Sequence, residues 1–98
     1  MADIQSTLAE RGETYGKFID VAGLSQGVQE MMHRGRNWER LRSDQREALQ
    51  TIASKIARIL NGDADHIDSW HDISGYATLV EDRLREDSLR RQHVIASG

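Results

Sequence analysis

The chain contains no cysteine and no proline. Without cysteine there is no disulfide, no thiolate metal site and no cysteine nucleophile. Aromatic residues are scarce at 5%, and lysine is reduced to Lys17 and Lys55 against eleven arginines. No apolar run approaches the roughly 18 residues of a membrane-spanning helix. The basic-then-apolar opening of a signal peptide is also missing, so the expectation is a cytoplasmic protein with no membrane partner. A positive balance is lacking too. The net charge is -3 and the pI is near 5.7, which argue against a partner of duplex nucleic acid.

What is present reads as helix. With no proline and no sustained strand-like alternation, the fold class is all-α: a small bundle of three or four helices. At 98 residues the chain is one domain, with a helical core over about 17–85 and a tail over 86–98. Such a short fold buries only about 60–65% of its unfolded surface. The mean hydropathy of -0.64 and 30% charged residues promise a thin core, so a homo-oligomer is expected to supply what one chain lacks. The arginine bias suits phosphate, because the guanidinium is a planar fork that also stacks on bases; a GC-rich genome accounts for it equally well.

A short helix is expected over Ile4 to Glu10, then a turn from Arg11 to Gly16. A second helix spans Lys17 to Arg34, with Phe18, Ile19, Ala22, Val28, Met31 and Met32 available for burial and a possible break at Gly23 or Gly27. An arginine-dense loop around Trp38 follows. Ser43 is the expected N-cap of a third helix, Asp44 to Asn61, with Asp44 suiting the positive end of the dipole and Gly62 closing it in a left-handed conformation. Asp68 or Ser69 caps a fourth helix, whose stripe is Trp70, Ile73, Ala77, Val80 and Leu84, fraying after Arg85 unless Leu89 and Val94 extend it.

The most informative stretch is Lys55-Ile56-Ala57-Arg58-Ile59-Leu60-Asn61-Gly62 with Asp72-Ile73-Ser74-Gly75-Tyr76-Ala77 after it. At about 100° per residue, Lys55 and Arg58 share one flank of their helix, and Asp72 and Tyr76 share one flank of theirs. Antiparallel packing would turn both flanks into one cleft. Two cations, a carboxylate and a phenol suit a phosphorylated nucleotide. The plain alternative is a salt bridge from Lys55 or Arg58 to Asp72, with Tyr76 covering the core.

The strings Tyr15-Gly16-x-Phe18, Ile52-x-x-Lys55-Ile-x-Arg58-Ile-Leu-x-Gly62 and Asp68-x-Trp70-x-Asp72-Ile-x-Gly75-Tyr76-Ala77 resemble small phage and prophage proteins related to the all-α NTP pyrophosphohydrolase (MazG-like) superfamily. The resemblance spans about Glu10 to Arg83. It implies a helical, oligomeric fold with a nucleotide site between helices. The superfamily holds magnesium with Glu-x-x-Glu on one helix and Glu-x-x-Asp on the next. Here Lys55 and Arg58 stand in place of the first pair, and the second reads Ser69-x-x-Asp72. Cations cannot ligate Mg²⁺, which requires oxygen, but they can neutralise phosphate themselves. The resemblance therefore implies metal-independent binding of a nucleotide or cyclic nucleotide, with no cofactor, and in a phage setting sequestration of a host immune signal.

Other constellations remain open. Asp68 and Asp72, one turn apart near His66 and His71, could share Mg²⁺ in a pyrophosphohydrolase; acids capping a helix are the plainer reading. Arg36 and Trp38 could grip phosphate and stack a base, or Trp38 could tuck into the core. Tyr15 could stack on a base, bond a phosphate or cap the core. No serine or histidine sits in a nucleophile motif. The expected ligand set is thus Lys55, Arg58, Asp72, Tyr76, Tyr15, Arg36 and Trp38. A helical module that binds no nucleotide is the third possibility.

Overall fold

The computed structural model describes residues 3–97, and for 94–97 only the backbone. Within them lie four α-helices and no strand: α1 (Ile4–Tyr15), α2 (Phe18–His33), α3 (Ser43–Asn61) and α4 (Ile67–Ser97), with a 3₁₀ turn at Trp38–Arg40 between α2 and α3.

Most differences from the expected elements have a local cause. α1 does not stop at Glu10: the Thr14 hydroxyl donates to the Glu10 carbonyl at 3.2 Å, and the Gly16 N–H to the Gly12 carbonyl at 2.9 Å, so the helix runs through Gly12. Asp3 caps it by accepting the Gln5 N–H at 2.6 Å. α2 is unbroken at Gly23 and Gly27, both of which face open space. The cap of α3 is Arg42 rather than Ser43, with its backbone N–H donating to Gln45 Oε1 at 2.9 Å. α4 begins at Ile67, so Asp68 lies inside its first turn, where a carboxylate suits the dipole. α4 also continues to Ser97, making the expected tail helical; the Val94 side chain lies outside the described residues.

The positive-φ glycine is Gly16 (φ 82), not Gly62. Gly62 has φ -129 and ψ -136 and serves close approach instead. A Cβ on it would overlap the backbone of Thr14 and Tyr15, and one on Gly16 would overlap Asn61. The two glycines thus lie at one interlock between the α1–α2 corner and the end of α3. The Asp63 N–H donates to the Thr14 carbonyl at 2.7 Å, and Asn61 Nδ2 to the Tyr15 carbonyl at 3.1 Å.

α3 is the middle of the molecule, packed antiparallel against α2 on one flank and α4 on the other, while α2 and α4 barely meet. Its contact surface is small-residue: Ala48, Ala53 and Ala57 are buried, joined by Val21 and Ser25 of α2 and Ser69 of α4. Alanine lets helix axes approach closely but contributes little apolar area. Among the described residues no large side chain is fully buried.

Ion pairs fix the α3–α4 register. Lys55 Nζ meets Asp72 Oδ2 at 3.0 Å. Eleven residues earlier on α3 and eleven later on α4, Asp44 receives both Nε and a terminal nitrogen of Arg83. Eleven residues are close to three turns, so both pairs fall on the facing side. Beyond them Arg42 reaches Asp87 at 2.9 Å. The stripe that faces α3 is accordingly Asp72, Tyr76, Val80, Arg83 and Asp87, with Ile73 at its edge. The expected stripe is rotated: Trp70, Ala77 and Leu84 are exposed. On α2, Phe18, Ile19 and Met31 are exposed, while Ala22, Val28 and Met32 are half-buried.

Candidate functional site

Across the α1–α2 corner and the C-terminal half of α3 runs a groove of about 570 Å³. Tyr15 stands in its wall. Continuation of α1 through Gly12 places Arg11 one turn before Tyr15, with its guanidinium 5.5 Å from the ring centroid. Arg58 approaches the same ring from α3 at 4.7 Å, and the His66 ring meets it edge-on at 5.7 Å. Two guanidiniums thus lie within cation–π range of one phenol ring.

Arg11, Lys17 and Arg58 line the groove, and no Asp or Glu does. Among the described residues none of the three has a carboxylate partner within ion-pair distance. In a chain of net charge -3, this concentrates uncompensated positive charge at one place. Hydroxyl and amide groups come from Ser25, Ser54 and Gln26, and apolar surface from Leu8, Phe18, Val21 and Ala22. Ser25 is buried and accepts from Gln29 Nε2 at 3.1 Å, while Phe18 stands 84% exposed at the rim.

The structure separates the expected ligand set into three places. Tyr15 and Arg58 share the groove. Lys55 and Asp72 pair with each other across α3 and α4, and Tyr76 is half-buried on the side of α4 that faces α3; none of these three lines the groove. Arg36 and Trp38 lie at the far end of the α2–α3 pair. There the Trp38 ring packs 4.6 Å from the His33 ring and under the Arg46 guanidinium at 5.7 Å. Arg46 also donates to the carbonyls of Trp38 at 3.2 Å and Glu39 at 2.8 Å, so Trp38 pins the connecting loop. Arg46 is twelve residues from Arg58 along α3, or about 18 Å. Arg11, Lys17 and Ser54 were not expected at the site; reading 11–16 as a turn hid the helical step from Arg11 to Tyr15.

Among the described residues no three side chains of the His, Asp and Glu types cluster closely enough to hold a metal ion. Asp72 is engaged by Lys55, and Asp68 lies beside His66 at 3.9 Å. The residues present therefore do not fit a carboxylate-held Mg²⁺.

No family model, curated protein or solved structure matches the chain. The resemblance to MazG-like proteins therefore rests on its motif residues alone.

Proposed function

We propose that the groove binds a nucleotide or nucleotide-derived signal without a metal ion. The observation that carries this reading is the lining: three cations and no carboxylate, around an aromatic ring. Arg58 and Arg11 offer forks to phosphate oxygens, and Lys17 adds a point charge. The exposed Phe18 offers a face on which a base can stack, a contact worth about 1–3 kcal/mol, while Tyr15 holds the Arg11 and Arg58 guanidiniums beside it. A volume of about 570 Å³ falls within the usual 300–1,000 Å³ of small-ligand sites. Lys55 and Asp72 hold α3 to α4 in this reading and leave the ligand set.

Binding without turnover is what a groove lined by cations and no carboxylate supports, and sequestration of a nucleotide signal, as by a phage anti-defence protein, is the use we assign to it. Assembly into a homo-oligomer is proposed separately, because the groove is formed within one chain. The test is calorimetric titration in EDTA, repeated with Mg²⁺ and product analysis, with ATP, ADP, cyclic AMP and a cyclic dinucleotide and with inorganic pyrophosphate as the phosphate-only control. At least one nucleotide should bind more tightly than pyrophosphate, and Arg58→Ala should weaken it tenfold or more. Absence of affinity across the panel leaves a structural helical module. Product formed only with Mg²⁺ makes the chain a pyrophosphohydrolase.

A further inference from the structure

The three-helix layer has two unlike sides. On α3, Asp44 and Lys55 face α4 and Ala53 and Ala57 face α2. At about 100° per residue, Ser54, Arg58 and Asn61 then project from one of the remaining edges and Leu49, Ile56 and Leu60 from the other. Neighbouring antiparallel helices turn in opposite senses. The same wheel therefore carries Leu24 and Met31 of α2, and Trp70, Ala77 and Leu84 of α4, to the Leu49 side. The groove and α1 occupy the opposite side, as the lining by Ser54, Arg58 and Gln26 requires.

The bare side is apolar and open. Leu24, Met31, Leu49, Leu60, Trp70 and Leu84 are exposed by between 38% and 65%. Charge is nearly missing from it in a chain that is 30% charged. Glu81, at its margin on α4, is paired with Arg85 at 2.6 Å, and Asp20 stands at the outer edge of α2.

The surface area says how much is left to cover. The chain exposes 7629 Å², whereas a compact monomer of its 11.1 kDa exposes about 5,700 Å². The radius of gyration is 17.8 Å against about 13 Å for a compact domain of this length. Part of the excess is the overhang of α4 beyond Asp87. The whole excess, about 1,900 Å² over the compact value, leaves room for the 800 Å² or so that each partner contributes to a standard interface.

We infer that this face is the seat of a second copy of the same chain, joined about a two-fold axis. An uncharged face meets its own copy without the repulsion that two chains of net charge -3 meet elsewhere, and an isologous contact needs only self-complementarity. The pairing gives each chain the large-side-chain core it lacks alone. It also leaves both grooves on the outside of the dimer, so assembly and ligand binding are separable.

Sedimentation equilibrium of the full chain, with circular dichroism alongside, tests this. The wild-type mass should be about twice that of one chain. Ala77→Arg places charge within the face, on α4 midway between Trp70 and Leu84 and on a side chain exposed within one chain, and should give a helical monomer. Leu79→Arg, on the other side of α4, should stay dimeric. As a measure independent of charged variants, the cysteine-free background allows single thiols at Leu49→Cys and Leu79→Cys. Maleimide should modify the first at least tenfold more slowly than the second. A monomeric wild type overturns the inference, as does an assembly that survives Ala77→Arg or equal labelling at the two positions. A dimer that binds no nucleotide would sustain this inference while removing the proposed function.

Discussion

Three residues separate Lys55 from Arg58, which turns one from the other by roughly 60° around α3. That rotation sends Lys55 to Asp72 and Arg58 to Tyr15. The two residues should therefore answer substitution differently. Lys55→Ala should cost about 1 kcal/mol or less of stability, as a partly exposed ion pair does, and leave nucleotide affinity within twofold. Arg58→Ala should do the reverse; thermal melts and titrations of both variants check it. The glycines of the interlock make a second residue-scale prediction. Gly62→Ala forces a Cβ into the backbone of Thr14 and Tyr15, an overpacking worth about 1–3 kcal/mol. Gly16→Ala adds strain at φ 82 and ψ -166, a region open essentially to glycine alone, at a cost on the order of 1–3 kcal/mol. Both should lower the melting temperature and reduce affinity together, since each displaces Tyr15.

At the scale of the element, the α3–α4 pair carries its charges in opposite order at its two ends: cation on α3 and anion on α4 at Lys55–Asp72, then anion on α3 and cation on α4 at Asp44–Arg83. A slide of one helix by a turn breaks both. Reversing one pair completely, Lys55→Asp with Asp72→Lys, should restore most of the stability that Lys55→Asp alone removes, measured as a double-mutant cycle in urea. The bidentate hydrogen bonding of Arg83 holds the Asp44 carboxyl below its ordinary value. Asp44 is thus depressed on folding, and its contribution is present above the unfolded value near 3.9 and lost as pH falls through the lower folded value. Urea midpoints should fall below about pH 4, and Asp44→Asn should reduce that acid dependence.

Elements of this kind were legible in the sequence in proportion to their amphipathicity. α3, with Ala48, Ile52, Ile56 and Ile59 on a clear repeat, was readable to within a residue at each end. α1 was not, because Gly12 reads as a stop while local hydrogen bonds carry the helix through it. The stripe Trp70, Ile73, Ala77, Val80 and Leu84 is real as a pattern, but only Val80 and Ile73 turn towards α3. A helix packed on a single neighbour can still carry more than one apolar direction, and periodicity does not say which of them meets that neighbour. The site was half legible for a related reason. Tyr15 and Arg58 are in the groove, yet residues that share a flank on a wheel do not share a cavity until the neighbouring helix is placed.

The whole molecule is an open layer of principal extents 61 × 33 × 24 Å, with α3 sandwiched, one cation-lined groove beside α1 and one bare apolar face behind. Among the described residues the buried apolar side chains are Val21 and three alanines, a thin core that the proposed dimer would thicken. Stability should therefore depend on protein concentration, with the melting temperature rising on going from low to high micromolar chain, as linkage to assembly requires. A melting temperature independent of concentration would separate the fold from assembly.

The central claim is that the groove captures a nucleotide and returns it unchanged. The direct measurement is incubation of the protein with a panel of linear and cyclic nucleotides, with and without Mg²⁺, followed by chromatography of the filtrate before and after heat denaturation. The account predicts a nucleotide that disappears from the filtrate in EDTA and reappears intact on heating, with no disappearance for Arg58→Ala. A nucleotide converted to product only with Mg²⁺, or a panel that passes through untouched, would contradict it.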